Sequence, residues 1–338
     1  GMRVVYEPKD IVSEYRTARS EAAKAFGIDD IFIEKYLENP KHIEVQILGD
    51  KDGNLIHLFE RDCSIQRRHQ KVVEFTPALC LTDDQREAIC SDAIKIAKHV
   101  NYRSAGTVEF LLDKNGNHYF IEMNPRIQVE HTVTELVTGI DIVQSQIRIA
   151  QGYLLDSEEM NLGSQEKVTQ RGFAIQCRIT TEDPANGFAP DTGIIELYRS
   201  GSGYGIRLDG GNGFTGSEVT PYYDSLLVKI TSWANSFEDT RRKAIRALKE
   251  TKIKGVKTNI GFLLNVLNHP QFIAGQCDTG FIAANPELLD IVTKIDRELK
   301  VLTYIGNKVV NETRGEKPNF NVPLFPKIPA AEIEELSG

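Results

Sequence analysis

SAGTVEFLLDKNGNHYFIEMNPRIQVEHTVTE, residues 104–135, is the stretch that decides the fold of this chain. Two strand-like runs, residues 107–113 and 118–123, lie on either side of Asn115 and Gly116. Asn-Gly between apolar runs predicts a hairpin with a type I′ turn, because that turn needs two residues with positive φ. The sequence therefore predicts two antiparallel strands joined by a two-residue loop.

This hairpin predicts a pair of facing carboxylates. With a two-residue loop, Glu109 lies opposite Glu122 and both side chains leave the same face, with Cβ atoms roughly 5 Å apart. Such a pair repels unless a cation or a shared proton lies between the two groups. Glu109, Glu122 and Asn124 offer hard oxygen ligands that suit Mg²⁺ or Mn²⁺. The alternative is a charged surface hairpin whose carboxylates point at water.

The residues after the second strand alternate between polar and apolar types. An extended chain with a period of two would place the polar members on one side and the apolar members on the other. The polar members are Glu122, Asn124, Arg126, Gln128 and Glu130, and the apolar ones are Met123, Pro125, Ile127 and Val129.

The run F-I-E-M-N-P-R-I-Q-V-E-H, residues 120–131, resembles the ATP-grasp core of biotin carboxylases. Residues 207–229 and 302–307 most resemble the biotin carboxylase part of pyruvate carboxylases. The resemblance covers about the C-terminal two-thirds of a biotin carboxylase plus a tail, without the glycine-rich phosphate loop. It implies an α+β fold, an ATP-grasp core with an antiparallel sheet followed by a mixed β/α C-terminal domain. The implied boundaries are 1–165, 166–285 and a linker over 286–338, where prolines 318, 323, 326 and 329 favour an extended chain.

Composition restricts the function classes. A chain of 338 residues with a net charge of −8 has no basic footprint for nucleic acid. No apolar run is long enough to cross a bilayer, so we expect no membrane-spanning segment, and we expect no signal peptide. The five cysteines lack C-x-x-C pairs, which predicts reduced thiols in a reducing, cytoplasmic compartment.

Other segments predict ordinary elements. Residues 10–26 read as a helix that Gly27 ends, and Thr82 with Gln85 reads as a capping box. The remaining predictions are a strand over 31–36, a hairpin of 42–48 with 54–60, a donor-rich loop over 61–71, a helix over 134–151 and a strand over 173–180. From the residues alone, the loop is a solvated face and Arg178 is a surface arginine.

The resemblance implies a role for each matched residue. The implied catalytic residues are Arg126, Glu130 and Arg178. The implied ATP-binding residues are Glu34, Lys35, Leu37, His42, Gln66, His69, Glu109 and Glu122. The implied bicarbonate-binding residues are Lys71, Arg126, Gln128 and Val129. The implied biotin-binding residues are Arg178 and Asp224, and the implied metal ligands are Glu109, Glu122 and Asn124.

The implied activity is that of a ligase that carboxylates biotin with ATP, Mg²⁺ or Mn²⁺ and bicarbonate, within an enzyme that converts pyruvate to oxaloacetate. The implied partners are a biotin carrier domain and a carboxyltransferase domain, in a homo-oligomer with paired biotin carboxylase units and a tetramer for the whole enzyme. Neither nucleic acid nor a membrane is an expected partner. Without the phosphate loop, we expect the chain alone to be inactive. The alternatives are an acyl-CoA or urea carboxylase, another ATP-grasp ligase, or a non-catalytic scaffold.

Overall fold

The computed structural model describes residues 2–211, 213–291, 301–302 and 304–306. The chain divides into two compact units, residues 1–291 and 292–338. In the second unit the described residues are helical. Most of the predicted linker over 286–338 lies outside the described residues, and so do its four prolines at positions 318, 323, 326 and 329.

Strands dominate the first unit. Numbered along the chain, they are β1 (Lys41–Gly49), β2 (Leu55–Arg67), β3 (Gln70–Thr76), β4 (Ser104–Leu112), β5 (His118–Asn124), β6 (Phe173–Thr180), β7 (Glu182–Asp183), β8 (Ala189–Pro190), β9 (Gly193–Ile194), β10 (Leu197–Arg199), β11 (Ile206–Gly210), β12 (Glu218–Val219), β13 (Leu226–Ala234) and β14 (Lys252–Lys254). In the described part of the chain, eight of them form one sheet in the order β11-β13-β6-β3-β2-β1-β4-β5. Every neighbouring pair in this sheet is antiparallel.

The described part of the first unit also contains eight α-helices, most of which contact this sheet. They are α1 (Ile11–Phe26), α2 (Asp83–His99), α3 (His131–Thr138), α4 (Ile142–Gln151), α5 (Phe237–Glu250), α6 (Ile260–Asn268), α7 (Pro270–Ile273) and α8 (Phe281–Ala284). Short 3-10 turns occur at Pro8–Asp10, Gln165–Lys167, Pro184–Asn186 and Pro286–Leu289. The predicted end of α1 is confirmed, since Gly27 is left-handed with φ 74°. The capping box is confirmed as well, because the Gln85 backbone N–H donates to the Thr82 side chain and the Gln85 side chain accepts from the Thr82 N–H.

One face of the sheet carries the two largest apolar clusters. Ile43 and Val45 on β1 pack with Ile89 on α2, and Ile175 and Cys177 on β6 pack with α5 and α6. Alternation along each strand sends the intervening residues to the opposite face. On that face α3 contacts β2, β3, β6 and β13, and α4 contacts β4. The polar side chains described below therefore lie on the face that α3 shares.

The central hairpin reaches the predicted pairing by a different route. The predicted two-residue loop is wrong: Leu112 pairs with His118, and the side chain of Asp113 accepts hydrogen bonds from the backbone N–H groups two and four residues later. This Asx arrangement stabilises a longer loop and moves the pairing by one residue. A β-bulge at Ile121 moves it back, so Glu109 still faces Glu122.

The predicted helix over 134–151 is wrong, because it is two helices. Gly139 ends α3 in the left-handed conformation with φ 71°, and the Asp141 side chain caps the start of α4 by accepting from the Gln144 N–H. The break follows from the glycine and the capping residue, which together favour a stop and a restart over a continuous helix.

Three other predictions differ from the structure. The donor-rich loop over 61–71 is strand through Arg67, followed by a tight turn in which Arg68 and His69 have φ of 49° and 65°. The predicted strand over 31–36 is wrong: the segment is irregular, and no strand in the described part of the chain pairs with it. The alternation after residue 122 ends at Asn124, where the chain turns and Arg126 N–H donates to the Asn124 carbonyl.

The predicted α+β class with a large antiparallel sheet is confirmed. The pairing of β3 with β6 continues the sheet across residue 165, where the sequence predicted a boundary. Among the described helices, none has the length and apolar composition needed to cross a bilayer.

Candidate active site

A row of charged side chains crosses four strands of the sheet. Arg61 on β2 pairs with Glu44 on β1, Glu44 pairs with Glu109 on β4, and Glu109 pairs with Glu122 on β5. Direct cross-strand partners have Cβ atoms about 5 Å apart, so three successive carboxylates repel each other unless cations lie among them. The row therefore needs positive charge, and the neighbouring strands supply it.

Lys71 on β3 reaches three of the carboxylates near this row. Its Nζ lies 2.5 Å from Glu44 Oε2, 3.0 Å from Glu109 Oε1 and 2.7 Å from Glu130 Oε1. Burial alone would lower the pKa of Lys71, but the surrounding carboxylates raise it well above its ordinary value. The ammonium stays charged in the cleft.

Arg61 is the buried cation of the row, with a side chain that is fully buried. Its Nε donates to Glu44 Oε1 at 2.5 Å, and its other nitrogens donate to side-chain oxygens of Gln46, Thr107, Gln128 and Thr134. Burial raises the pKa of Glu44, but the charges of Arg61 and Lys71 outweigh it and lower that pKa to about 2. Sequence reasoning missed both Glu44 and Arg61 as site residues. The signal for Glu44 was its position two residues after His42, but its pairing with Glu109 depends on register.

Glu109 and Glu122 share a side-chain partner. The Nδ2 of Asn124 lies 3.0 Å from Glu109 Oε1 and 3.1 Å from Glu122 Oε1. Burial raises the pKa of Glu109, but hydrogen bonding from His42 and the charge of Lys71 lower it to about 2. The predicted position of the two carboxylates on one face is confirmed.

These residues fit a hard divalent cation. Two carboxylates converge on one amide group, and a half-turn of the Asn124 amide would present its oxygen at the point its NH₂ now occupies. An all-oxygen donor set with water access suits Mg²⁺ or Mn²⁺ better than a softer metal. A second group of possible ligands, His42, Glu44 and Glu109, is less suitable because Arg61 and Lys71 already engage Glu44.

The turn after β5 carries the next group of predicted residues. Arg126 is exposed and contacts only the Ile127 carbonyl and the Asn124 side chain, with no carboxylate partner among the described residues. Gln128 is buried and donates to Glu109 Oε1 at 2.7 Å. The Val129 carbonyl accepts from Lys229 Nζ at 2.9 Å. Arg126 is therefore an available guanidinium on an otherwise anchored turn.

Glu130 connects this turn to β6. It is buried, and while its Oε1 contacts Lys71, its Oε2 lies 3.0 Å from Arg178 Nη2. Arg178 in turn donates through Nε to Glu74 Oε1 at 2.5 Å. The expectation from the residues alone, a surface arginine, is wrong, because Arg178 is held between two buried carboxylates. Sequence reasoning also missed Glu74.

Lys71, Glu109, Arg126, Glu130 and Arg178 border one cavity of about 360 Å³. Among its lining residues are eleven of the predicted site residues: His69, Lys71, Glu109, Glu122, Asn124, Arg126, Gln128, Val129, Glu130, Arg178 and Asp224. A wall rich in carboxylates meets the guanidinium groups of Arg126 and Arg178 there. This arrangement can bind an anion beside a divalent cation and can move a proton to or from a bound group.

Five predicted ATP-binding residues do not line the cavity: Glu34, Lys35, Leu37, His42 and Gln66. The first three lie in the irregular segment before β1, where Lys35 Nζ is 5.1 Å from the centre of the Tyr119 ring. The other two lie behind Glu109, with His42 Nε2 2.7 Å from Glu109 Oε2 and Gln66 Nε2 2.6 Å from His42 Nδ1.

Known families match both halves of the first unit. Residues 1–158 match the family described as carbamoyl-phosphate synthase L chain, ATP binding domain, and residues 176–284 match the biotin carboxylase C-terminal domain. Pyruvate carboxylase of Bacillus subtilis is 54% identical over 332 residues, which cover 97% of this chain and 29% of that protein. The chain thus spans under a third of that relative's length.

Solved structures resemble the fold closely. The dimeric biotin carboxylase domain of Hydrogenobacter thermophilus 2-oxoglutarate carboxylase, in complex with MgADP, ADP and bicarbonate, superposes with a TM-score of 0.79 at 49% identity. That match covers 86% of this chain and 62% of the other. A complete multifunctional pyruvate carboxylase from Rhizobium etli has a TM-score of 0.78 at 47% identity, covering 91% of this chain and 29% of that one. With an ATP-binding domain match, a biotin carboxylase C-terminal domain match and these relatives, the chain belongs to the biotin carboxylase family of ATP-grasp proteins.

Proposed function

We propose that this chain belongs to the biotin carboxylase part of an enzyme that converts pyruvate to oxaloacetate, and that this part carries out ATP- and bicarbonate-dependent carboxylation of biotin. The observation that carries the proposal is the convergence at Glu130, whose oxygens contact Lys71 at 2.7 Å and Arg178 at 3.0 Å in the cavity that Arg126 lines. A buried carboxylate beside an available guanidinium suits proton removal from a bound anion.

In the first step Arg126 binds bicarbonate, with Lys71, Gln128 and the Val129 N–H completing the anion pocket. Glu130 accepts the bicarbonate proton while a bicarbonate oxygen attacks the γ-phosphorus of ATP and ADP leaves, which yields carboxyphosphate. A divalent cation held by Glu109, Glu122 and Asn124 would neutralise charge on the phosphate oxygens.

In the second step carboxyphosphate breaks down to CO₂ and phosphate. The phosphate removes the N1 proton of biotin, and the resulting nitrogen anion attacks CO₂. Arg178 stabilises the negative charge on the ureido oxygen of biotin, and Asp224 borders the biotin pocket. Residues Glu34, Lys35, Leu37, His42, Gln66 and His69 belong to the ATP site in this proposal.

The proposed partners are a biotin carrier domain and a carboxyltransferase domain of the same enzyme, in the cytoplasm. Paired biotin carboxylase units and a tetrameric whole enzyme are also part of the proposal. The support for it comes from relatives: one solved neighbour is described as a domain dimer and another as a complete multifunctional enzyme.

The test measures ATP cleavage by the complete gene product with and without bicarbonate, and with added free biotin. We expect cleavage that depends on bicarbonate and Mg²⁺, rises with biotin and stops with EDTA. A rate of ATP cleavage that is the same with and without bicarbonate would overturn the proposal. Stabilisation of this chain by MgADP in a thermal-shift assay separates an ATP-binding domain from a scaffold.

The acceptor is tested separately, because it depends on the carboxyltransferase part. Carboxylation assays with pyruvate, 2-oxoglutarate, an acyl-CoA and urea should give product with pyruvate. Product with another acceptor would leave the proposed carboxylation of biotin in place and would replace pyruvate as the proposed acceptor. The assay includes 2-oxoglutarate because a neighbour with 49% identity is named a 2-oxoglutarate carboxylase.

A further inference from the structure

Glu74 is a fully buried carboxylate that does not border the cavity. It lies on β3 directly opposite Gln176 on β6, and Gln176 lies opposite Thr231 on β13. Its chain neighbours Val73 and Phe75 point into the apolar core on the other face. Glu74 therefore belongs to a polar row beneath the cleft.

Both oxygens of Glu74 are engaged. Oε1 accepts from Arg178 Nε at 2.5 Å, and Oε2 accepts from Gln176 Nε2 at 2.9 Å. The Thr132 hydroxyl on α3 holds the other end of the Gln176 amide at 2.5 Å and also contacts the Thr231 hydroxyl at 2.8 Å. The carboxylate is thus fixed by three strands and a helix, and it has little freedom to follow Arg178 elsewhere.

This contact divides the guanidinium of Arg178 between two carboxylates. Nε donates to Glu74 Oε1, and Nη2 lies 2.5 Å from Glu74 Oε1 and 3.0 Å from Glu130 Oε2. Nη1 makes no hydrogen bond within the part of the chain described here. Burial raises the pKa of Glu74, so its charge depends on Arg178 remaining in place. Without that charge, Arg178 has Glu130 as its remaining carboxylate partner.

We propose that Glu74 is a positioning residue for Arg178, an inference that rests on the proposed function. It fixes the plane of the guanidinium toward the ureido oxygen of biotin, and it keeps Arg178 from pairing with Glu130 alone. The first effect serves CO₂ capture by biotin. The formation of carboxyphosphate does not need it.

The experiment compares Glu74→Gln and Glu74→Ala with wild type in the complete gene product. Two rates are measured: bicarbonate-dependent ATP cleavage without biotin, and carboxylation of free biotin. We expect the ratio of carboxylation to ATP cleavage to fall about 10-fold to 100-fold, as for a reacting group displaced by about 1 Å. The loss should appear mainly in kcat and should be larger for alanine, because glutamine can still accept from Arg178 Nε.

Glu60→Gln is the matched control. Glu60 is equally buried, and it is paired with Arg86 of α2 at 2.9 Å on the opposite face of the sheet. This variant should lower Tm and leave the ratio of the two rates unchanged. A purely structural role for Glu74 predicts the same pattern for its own variants, so an unchanged ratio there overturns the inference.

A third variant keeps the test decisive if the first two unfold. Glu74→Asp retains the negative charge on a side chain that is one methylene shorter. Its ratio of carboxylation to ATP cleavage should lie between those of wild type and Glu74→Gln. An unchanged ratio in a folded Glu74→Asp protein, with Glu74→Gln unfolded, would make the residue structural. Absence of bicarbonate-dependent ATP cleavage in wild type would instead overturn the proposed function.

Discussion

Glu44 and Glu109 are direct cross-strand partners, and the ammonium of Lys71 contacts both, at 2.5 Å and 3.0 Å. Two buried carboxylates in this position repel, so the pair persists only with Lys71 and the fully buried Arg61 beside it. The charges in the cleft therefore stabilise the sheet as well as forming the site. Removing one charge leaves its partner buried without compensation.

The first prediction concerns this charge balance. Glu44→Gln leaves Arg61 without its carboxylate partner, and we expect the free energy of unfolding to fall by about 3–5 kcal/mol. Urea titration of the chain at pH 7 measures it. Glu250→Gln, at the exposed ion pair with Arg246 on α5, should cost no more than about 1 kcal/mol. Equal losses in both variants would mean that the buried pair is not a source of stability.

The second prediction is a pH dependence. The pKa of Glu44 and that of Glu109 are lowered from 4.5 to about 2, so the unfolded chain binds more protons than the folded chain below pH 4.5. The stability they contribute is complete above pH 4.5 and is lost as pH falls toward 2. Unfolding curves across this window should show a smaller loss for Glu109→Gln than for wild type. An identical slope in both would contradict the assigned shift.

The third prediction tests Arg126 as the bicarbonate ligand. Arg126→Ala in the complete gene product should lower biotin carboxylation by about 10²–10³-fold, because it removes donors aimed at the reacting anion. MgADP affinity, measured by calorimetry, should change little. Arg242→Ala, with a side chain 70% exposed on α5, is the control and should leave both quantities unchanged. Equal losses of rate and nucleotide affinity would assign Arg126 to the nucleotide instead.

The fourth prediction tests Glu130 as the base. Glu130→Gln should abolish bicarbonate-dependent ATP cleavage, because the proton acceptor is lost. MgADP should still bind, because the two carboxylate oxygens of Glu130 contact Lys71 and Arg178, which the proposal assigns to bicarbonate and biotin. Single-turnover ATP cleavage and MgADP calorimetry on the same preparation measure the two effects. Near-normal cleavage would exclude Glu130 as the base.

The fifth prediction separates two metal ligands by burial. Glu122 is exposed and Glu109 is buried, so Glu122→Ala should raise the Mg²⁺ concentration needed for activity with little change in Tm. Glu109→Ala should raise the Mg²⁺ requirement and also lower Tm, because it removes a carboxylate partner of Lys71. Mg²⁺ titrations of ATP cleavage and thermal unfolding without metal measure the two effects. A large Tm loss in Glu122→Ala would contradict the separation.

Local chemistry made several elements predictable. Gly27 ended α1, the Thr82 capping box started α2, and alternation gave β6 its bounds, because each signal acts within a few residues. For the central hairpin, the predicted pairing of Glu109 with Glu122 is confirmed and the predicted two-residue loop is wrong. The longer loop shifts the pairing by one residue, and the bulge at Ile121 shifts it back. Neither the Asp113 turn nor the bulge at Ile121 has a clear signal in the local polar pattern. The split between α3 and α4 was signalled by Gly139 and Asp141.

The sequence by itself determined the residue types of the site: the paired carboxylates of the hairpin, the arginine and glutamate that follow it, and the lysine and arginine of two other strands. Tertiary structure decided which charges meet. The register of β1 against β4 put Glu44 opposite Glu109, and the pairing of β3 with β6 brought Glu74 to Arg178, across 104 residues of chain. Sheet register is set by packing over the whole face, and a shift of one residue would send each of these side chains to the opposite side.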